Sequence, residues 1–250
     1  MVEPESRRKW WRWASGIVAA LVVLGVMIMY VPAFNRVKVR LIGRHTIEQR
    51  VEQFGDAVWT RLGIRGNPTA MILVVYKDVR QLELFVADGG TGVRFVRRYP
   101  VLGMSGGLGP KLRAGDRQVP EGIYQIPDLN PNSAFHVAMR VGYPNADDQA
   151  QAARDGRSDL GGDIMIHGSN VSIGCLAMGD EAAEDLFVLA ARCGLAHVSL
   201  FIVPTDLRKN PNFSLSPAQP AWITNRYADL RQALTVALPP EKNEAVAPER

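Results

Sequence analysis

The N-terminal part of the chain contains a long apolar stretch. Between Trp13 and Asn35 no Lys, Arg, Asp or Glu occurs, and the centre reads AALVVLGVMIMYV. At about 1.5 Å per residue, a helix of this length crosses a hydrocarbon core of roughly 30 Å. Aromatic side chains at positions 10, 11, 13 and 30 lie near its two ends, as they do at membrane interfaces. We therefore predict an uncleaved transmembrane anchor over residues 14–34, with residues 1–13 cytoplasmic.

Two other interpretations of this stretch stay open. One is a cleaved signal peptide, although the apolar run is long for one and no clear A-x-A cleavage site precedes Arg36. The other is a buried core helix, although core helices are seldom this long without a charge. Four Lys/Arg precede the stretch and four follow it closely, so the charges do not set its orientation.

After this stretch, the apolar positions predict one helix and then many short strands. Apolar residues at helical spacing predict a helix from Arg36 to about Gly66, running from the membrane to the domain, which Asn67-Pro68 ends. The segments that follow are short, rich in β-branched residues and separated by turn residues, which is typical of strands. The predicted strands are 70–76, 82–86, 94–102, 122–126, 135–141, 163–167 and 197–203.

A single well-defined helix is predicted near the end of these strands. Asp180 is placed to cap a helix over residues 181–193, which Gly194 ends. Many strands with one helix predict a mainly β domain. Beyond Thr205 the chain is polar and proline-rich, with a surface helix predicted over 222–238 and a disordered tail over 239–250. The predicted organisation is an N-terminus (1–13), an anchor (14–34), a helical connector (35–68), a main domain (69–205) and a C-terminal extension (206–250).

Charge and composition narrow the function classes. The net charge of +4 comes from the N-terminal end, since residues 1–44 carry eight basic and two acidic side chains and the rest sums to −2. The main domain therefore lacks the positive charge that attracts nucleic acid, and we expect no nucleic-acid partner. Two cysteines exclude a disulfide-stapled miniprotein and a four-cysteine zinc site. No clustered set of ligands occurs, so we expect no metal and no other cofactor.

One stretch combines the residues of a thiol nucleophile and its base. It reads GGDIMIHGSNVSIGCLAM over residues 161–178, so that Cys175 follows His167 by eight residues. A cysteine attacks as the thiolate, and a neighbouring imidazole can take its proton. Gly174 lets the backbone approach closely and direct N–H groups at a developing oxyanion. The pattern alone also suits a free core cysteine, which is the interpretation we favour for Cys193.

This stretch resembles the catalytic motif of the L,D-transpeptidase catalytic-domain (YkuD-like) family, which processes bacterial peptidoglycan, and in particular its murein L,D-transpeptidase-like branch. The resemblance covers roughly residues 69–204 and implies a β-sandwich or barrel with a helix after the cysteine. Similar segments upstream are YPVLG (99–103), GPKLRAGD (109–116), VPEGIYQI (119–126), FH (135–136) and GYPN (142–145) with Asp148.

The resemblance implies roles for individual residues. Cys175 is implied as the nucleophile and His167 as its general base. The Gly168 carbonyl is expected to orient the imidazole, and the N–H groups of Gly174 and Cys175 are expected to form the oxyanion hole. Ile173 departs from the family pattern, since most members have a second histidine at this position. The candidate substrate-binding residues are Ser169, Asn170, Ser172, Tyr124, His136 and Tyr143.

The implied reaction is a two-step acyl transfer on a peptidoglycan stem tetrapeptide. Cys175 attacks the amide that follows the L-centre of meso-diaminopimelate, D-alanine leaves, and the thioester passes to an amine. Two alternatives stay open: an L,D-hydrolase that releases peptides or wall-attached protein with the same cysteine, and a non-catalytic cell-wall binding scaffold. An activated Cys175 is expected to react below the usual thiol pKa of about 8.5. Because peptidoglycan is its substrate, we expect a periplasmic domain held at the inner membrane.

Overall fold

The computed structural model describes residues 44–240 except positions 65, 88, 90, 91 and 216–218, together with residues 18 and 20–24. Most of the predicted anchor (14–34), the start of the connector and nearly all of the predicted tail (239–250) therefore lie outside the described residues. No helix in the described part of the chain is both long and apolar enough to cross a membrane.

The predicted connector contains helix α1, Ile47–Leu62. Thr46 begins it with a capping box, in which the Thr46 hydroxyl accepts from the Gln49 amide and the Gln49 side chain accepts from the Thr46 amide. Gly63 ends it in the left-handed conformation (φ 60°) that glycine adopts at little cost. The apolar stripe recognised in the sequence faces the core and is buried.

The first sheet has five strands in the order β3-β2-β1-β9-β4. β1 pairs with β9 in parallel, and the other three pairs are antiparallel. Both faces of the central strands are buried, so β1 reads as a continuous apolar run, as expected for a strand covered on both sides. The strands are β1 (Ala70–Tyr76), β2 (Gln81–Ala87), β3 (Val93–Pro100), β4 (Gly122–Gln125) and β9 (Val198–Val203).

The second sheet has four strands in the order β5-β6-β7-β8 and carries the motif with the histidine and cysteine. β5 with β6 and β6 with β7 are antiparallel, whereas β7 with β8 is parallel. The strands are β5 (Asp128–Ser133), β6 (His136–Arg140), β7 (Met165–His167) and β8 (Leu176–Ala177).

Helices cover both faces of the five-stranded sheet. Helix α3, Asp180–Cys193, packs in the main core with α1 and the inner faces of the two sheets. Helix α4, Ile223–Ala237, packs against the outer face in a second core. A further helix, α2, spans Ala146–Arg154 and begins at Asn145 with a second capping box.

The prediction of a mainly β domain is corrected to two mixed sheets with substantial helices. Residues 146–154 form a helix that the polar, weakly patterned sequence ADDQAQAAR did not reveal. Residues 128–133 form a strand although they contain Pro131, because β5 lies at the edge of its sheet, where a missing N–H is tolerated. Asp180 does not cap α3; it is the first helical residue, and its carboxylate accepts the Ser169 amide instead.

Candidate active site

The parallel pairing of β7 with β8 brings Cys175 next to the strand that carries His167. His167 pairs with Ala177, and Ile166 with Leu176. Ile166 and Leu176 point into the main core, so the alternate positions lie on the opposite face. One residue further along this register, Cys175 lies beside Met165, about 7 Å along the strand direction from the level of His167. His167 and Cys175, which are eight residues apart in the sequence, thus lie close together in the fold.

His167 is held in one orientation and is shielded from water. Its Nδ1 lies 2.6 Å from the Gly168 carbonyl oxygen, so Nδ1 carries the proton and Nε2 carries the free lone pair. The Phe135 ring stacks on the imidazole at 4.8 Å between centroids. Burial lowers the pKa of His167 below 6.5, with the Gly168 contact opposing that shift in part. The imidazole is therefore a neutral base near neutral pH.

Gly168 cannot be replaced without moving its surroundings. A Cβ at this position would lie 2.5 Å from Asp180 Oδ1, 2.8 Å from the Phe135 carbonyl oxygen and 2.9 Å from the His136 Cβ. The contact of its carbonyl with the imidazole, implied by the family resemblance, is present in the structure. A glycine is therefore required here by close packing around the histidine.

Cys175 is half-buried, and its thiol is turned toward the start of β7. Met165 N–H donates to Sγ at 3.3 Å, and the thiol donates to the Asp163 carbonyl at 3.6 Å. These are its partners in the described part of the chain, and the imidazole is not among them. Burial raises the pKa of the Cys175 thiol, with the Met165 amide opposing the shift and the Asp163 charge adding to it. These surroundings favour the protonated thiol in the resting arrangement, and reactivity below the usual thiol pKa stays a prediction.

The two N–H groups expected to form the oxyanion hole are occupied by serine hydroxyls. Gly174 N–H donates to Ser105 Oγ at 2.7 Å, and Cys175 N–H donates to Ser172 Oγ at 2.9 Å. Ser172 Oγ also donates to the Cys175 carbonyl, so this serine bonds the loop backbone. An acyl oxygen can accept from these N–H groups only after it displaces the hydroxyls, so the role of the two N–H groups as an oxyanion hole stays a prediction.

The rest of the loop between His167 and Cys175 is exposed at its tip. Ser169 adopts a positive φ of 64° and is fixed by its amide to Asp180 and by its carbonyl to Gly179. Asn170 is exposed, and its carbonyl lies so close to Gly103 that a Cβ there would approach it at 2.6 Å. Ile173 is 74% exposed. These positions remain accessible to a bound peptide.

Tyr124 and Tyr143 are not groove residues, contrary to the prediction. Tyr124 is 1% exposed, because alternation along β4 turns it inward while Ile123 faces solvent. Its ring meets that of Tyr143 edge-on at 6.2 Å between centroids. The Tyr143 hydroxyl contacts the carbonyls of Lys111 and Leu160 at 3.3 Å each. Both tyrosines hold the core together beneath the sheet.

His136 is a satisfied structural histidine and not a pocket wall. Its Nε2 lies 2.9 Å from Glu184 Oε1, and its ring packs against Phe54 at 5.3 Å between centroids. It adopts a positive φ of 76° next to Gly168 and contributes its Cβ to the close packing there. Its imidazole therefore links strand β6 to helices α1 and α3.

Sequence reasoning missed Ser105 and Phe135, which contact the motif from distant segments. Ser105 lies in the glycine-rich run Gly103–Gly109, and its hydroxyl also donates to the Arg117 carbonyl at 2.6 Å. A serine in a glycine-rich loop that resembles the family's loop is a usable signal for Ser105. Phe135 precedes His136 in a motif that was recognised, but nothing in the local sequence indicates that its ring stacks on His167.

The loop that carries Ser105 is anchored by buried charges. Asp116 accepts from the amides of residues 112, 113 and 118 and from Lys111 Nζ. Burial opposes ionisation of Asp116, but these donors together hold its pKa below the usual range. Lys77 pairs with Glu121 at 3.0 Å, and both side chains are fully buried. Within the described residues, no group of three or more His, Cys, Asp or Glu side chains could hold a metal ion.

Comparisons with solved structures find neighbours at low similarity. The helical cell shape determining protein Pgp2 of Campylobacter jejuni gives a TM-score of 0.44 at 20% identity, over 64% of this chain and 57% of that one. L,D-transpeptidase 1 of Mycobacterium tuberculosis gives 0.32 at 16% identity, over 54% and 62%. Scores of this size carry no argument about the site.

Sequence comparisons are more informative. YafK of Escherichia coli strain K12, whose name proposes L,D-transpeptidase activity, is 36% identical over 126 residues, which are 50% of this chain and 48% of YafK. The chain thus spans about half the length of the curated relatives that it matches. The family model of the L,D-transpeptidase catalytic domain, YkuD, matches residues 70–194, which is half of the chain and includes both His167 and Cys175. The chain belongs to the YkuD family of L,D-transpeptidase catalytic domains.

Proposed function

We propose that this protein is a cysteine-dependent L,D-transpeptidase that acts on peptidoglycan stem peptides through a thioester on Cys175. The observation that carries the proposal is the parallel pairing of β7 with β8, which puts Cys175 next to Met165, two residues before His167. The orientation of His167 by the Gly168 carbonyl supports it further. Membership of the family supports peptidoglycan-related chemistry.

The first step transfers the acyl group to the enzyme. The Cys175 thiol gives its proton to His167 Nε2 as Sγ attacks the amide carbonyl between diaminopimelate and D-alanine. The C–N bond then breaks, and the imidazolium returns the proton to the departing D-alanine amine. The lowered pKa of His167 and the raised pKa of Cys175 favour neutral groups at rest, so the thiol still carries its proton when the substrate arrives.

The resting contacts have to change before this step. The thiol must turn away from Met165 N–H and the Asp163 carbonyl toward the imidazole. The substrate acyl oxygen must replace Ser105 Oγ or Ser172 Oγ as the acceptor of the loop amides. Each exchange replaces one hydrogen bond by another, so its net cost is less than about 1 kcal/mol.

The second step passes the thioester to an acceptor. An amine from a second stem gives a cross-link, and water gives hydrolysis. Hydrolysis is the second candidate function, because Ile173, an exposed apolar residue between the motif's histidine and cysteine, offers no hydrogen bond to guide an amine.

We further propose a periplasmic location with the segment 14–34 as membrane anchor, because peptidoglycan is the proposed substrate. A reporter enzyme fused after Arg250 that works only in the cytoplasm contradicts this location.

The experiment compares the protein from residue 44 onward with its Cys175→Ala and Cys193→Ala variants on tetrapeptide muropeptides, with mass spectrometry of the products. Cys193 is the matched control, because it is a buried cysteine on α3 whose thiol contacts only the His197 carbonyl in the described part of the chain. We expect D-alanine release from the wild type and from Cys193→Ala, and none from Cys175→Ala.

The products then separate the candidate functions. Cross-linked dimers together with D-alanine release establish transpeptidation. Release without dimers establishes the hydrolase. Absence of release and of any thioester adduct, on muropeptides and on intact sacculi alike, contradicts both enzymes and favours a cell-wall binding scaffold.

A further inference from the structure

Strained backbone conformations surround the candidate site. Positive φ is costly for residues with a Cβ, and such residues cluster at functional sites. Among the described residues, the non-glycine positions with positive φ are Arg80, Arg117, His136, Asp163 and Ser169.

Three of these five residues have partners inside the protein: Asp163 and Ser169 belong to the motif over residues 161–178, and His136 packs against it. The Asp163 carbonyl accepts from the Cys175 thiol, and its carboxylate pairs with Arg140. His136 packs against Gly168 and bonds Glu184, and Ser169 is bonded through its backbone. Their conformations are therefore explained by contacts inside the protein.

The two arginines are linked to the loop between His167 and Cys175 through the segment that carries Ser105. The Arg117 carbonyl accepts from Ser105 Oγ at 2.6 Å, and that oxygen accepts from Gly174 N–H at 2.7 Å. Arg80 Nη2 contacts the carbonyl of Met104, the residue before Ser105, at 3.4 Å. Arg117 is thus two hydrogen bonds from the residue that precedes Cys175.

Arg117 differs from the other four because, among the described residues, its side chain has no contact that accounts for its strained conformation. It is exposed, and its guanidinium has no hydrogen bond or ion pair within the described residues. Its neighbours Asp116 and Gln118 are both anchored, Asp116 by Lys111 and Gln118 by contacts with the carbonyls of residues 107 and 109. The loop therefore holds Arg117 in a strained conformation at a fixed place and leaves its charge available.

We propose that Arg117 binds a carboxylate of the donor stem peptide, with Arg80 as a second cation, and so determines substrate specificity. This inference rests on the proposed function. The donor carries a carboxylate on the departing D-alanine, next to the scissile amide, and another on the D-centre of diaminopimelate. A guanidinium binds a carboxylate through two parallel N–H···O bonds, which gives orientation as well as affinity. Arg80 is exposed and has no carboxylate partner among the described residues.

The test uses Arg117→Gln, Arg117→Gly and a matched control, Arg113→Gln. Arg113 is an exposed arginine of the same loop without a positive φ. The substrates are the free tetrapeptide, its C-terminal carboxamide and the form amidated on diaminopimelate. For the free peptide we expect KM to rise about fivefold in both Arg117 variants, the size of an exposed ion pair, with kcat nearly unchanged. When the carboxylate that Arg117 binds is amidated, the wild type and the Arg117 variants should have equal KM values. The amidated peptide that shows this result identifies the carboxylate.

Stability separates this role from a structural one. Glycine accepts a positive φ without strain, so Arg117→Gly should melt no lower than the wild type while it binds substrate more weakly. An equal KM rise in Arg113→Gln, an unchanged KM in Arg117→Gln, or a lowered melting temperature with a matching fall in kcat overturns the proposal.

Peptide binding to the Cys175→Ala protein tests Arg117 independently of turnover. In this background, Arg117→Gln should weaken the binding of the free tetrapeptide about fivefold, and Arg113→Gln should leave it unchanged. If the wild type shows no D-alanine release but this difference in binding persists, the proposed reaction fails and the carboxylate site stands. If D-alanine is released and the difference is absent, the carboxylate site fails and the reaction stands. If the tetrapeptide does not bind at all, both fail.

Discussion

At the scale of single residues, Cys175 and His167 are both uncharged near neutral pH. Burial raises the pKa of the thiol and lowers that of the imidazole, so the two shifts move the pair away from a thiolate–imidazolium ion pair. A half-buried nucleophile that contacts no cation among the described residues gains nothing from early ionisation. Its reactivity depends instead on the position of the base when the substrate arrives.

The pH dependence of the site follows from these directions. A base with a lowered pKa stays deprotonated into mildly acidic solution, so the acid limb of kcat/KM should fall below the ordinary histidine value of 6.5. Alkylation of the free enzyme should show a midpoint above the usual thiol value of about 8.5. Rates of iodoacetamide modification against pH, with Cys193→Ala so that Cys175 is the sole thiol, check the second point. A midpoint well below neutral would instead indicate a resting ion pair.

At the scale of elements, one charge cluster fastens α1 to the unit that carries the site. Arg61 on α1 contacts Asp185 Oδ1 on α3 at 2.6 Å, and Tyr99 on β3 donates to the other oxygen at 2.9 Å. The Asp185 side chain is fully buried. The predicted helical connector is therefore joined to the fold by polar contacts as well as by its apolar stripe.

Arg61→Ala should destabilise the protein by about 3 kcal/mol, because removing one partner leaves a buried carboxylate without its cation. Arg97→Ala is the control: its guanidinium pairs with the exposed Glu181 at 3.5 Å, and such surface pairs contribute less than about 1 kcal/mol. Urea unfolding of the three proteins measures the difference. Equal free energies of unfolding for the two variants would contradict a special role of the buried pair.

At the scale of the whole molecule, α4 covers the outer face of the five-stranded sheet. Its apolar side chains cover Ile72, Val74 and Phe201 on the outer face. Tyr227 on this helix donates to the buried Glu121 carboxylate at 2.6 Å, which in turn pairs with Lys77. The C-terminal extension thereby supports the loop that carries Ser105 and Arg117.

Leu230→Ala should destabilise the fold by about 3 kcal/mol, because it leaves a cavity under α4. Leu230 is 2% exposed, whereas Val236 on the same helix is 82% exposed. Val236→Ala should therefore change the free energy of unfolding by less than about 0.5 kcal/mol. Thermal unfolding compares the two variants, and similar effects of both would show that α4 does not pack as described.

The amino-acid sequence by itself determined the local elements and the presence of a thiol and an imidazole within one motif. Apolar spacing is a local property, so strands β1 and β2, the last strand and the helix after the cysteine were predicted within a few residues, whereas α1 begins at Ile47 and not at the predicted Arg36. His167 and Cys175 lie within one short stretch, and the family resemblance of that stretch implied their roles.

Only the tertiary structure decided which side chains meet across the fold. The parallel register of β7 with β8, the contact of Ser105 with Gly174 and the stacking of Phe135 on His167 join segments that local patterns do not relate. The inward direction of Tyr124 depends on which face of β4 is covered, and that face is set by the packing of the whole sheet. The protonation of the thiol is decided in the same way, because burial is a property of the assembled chain.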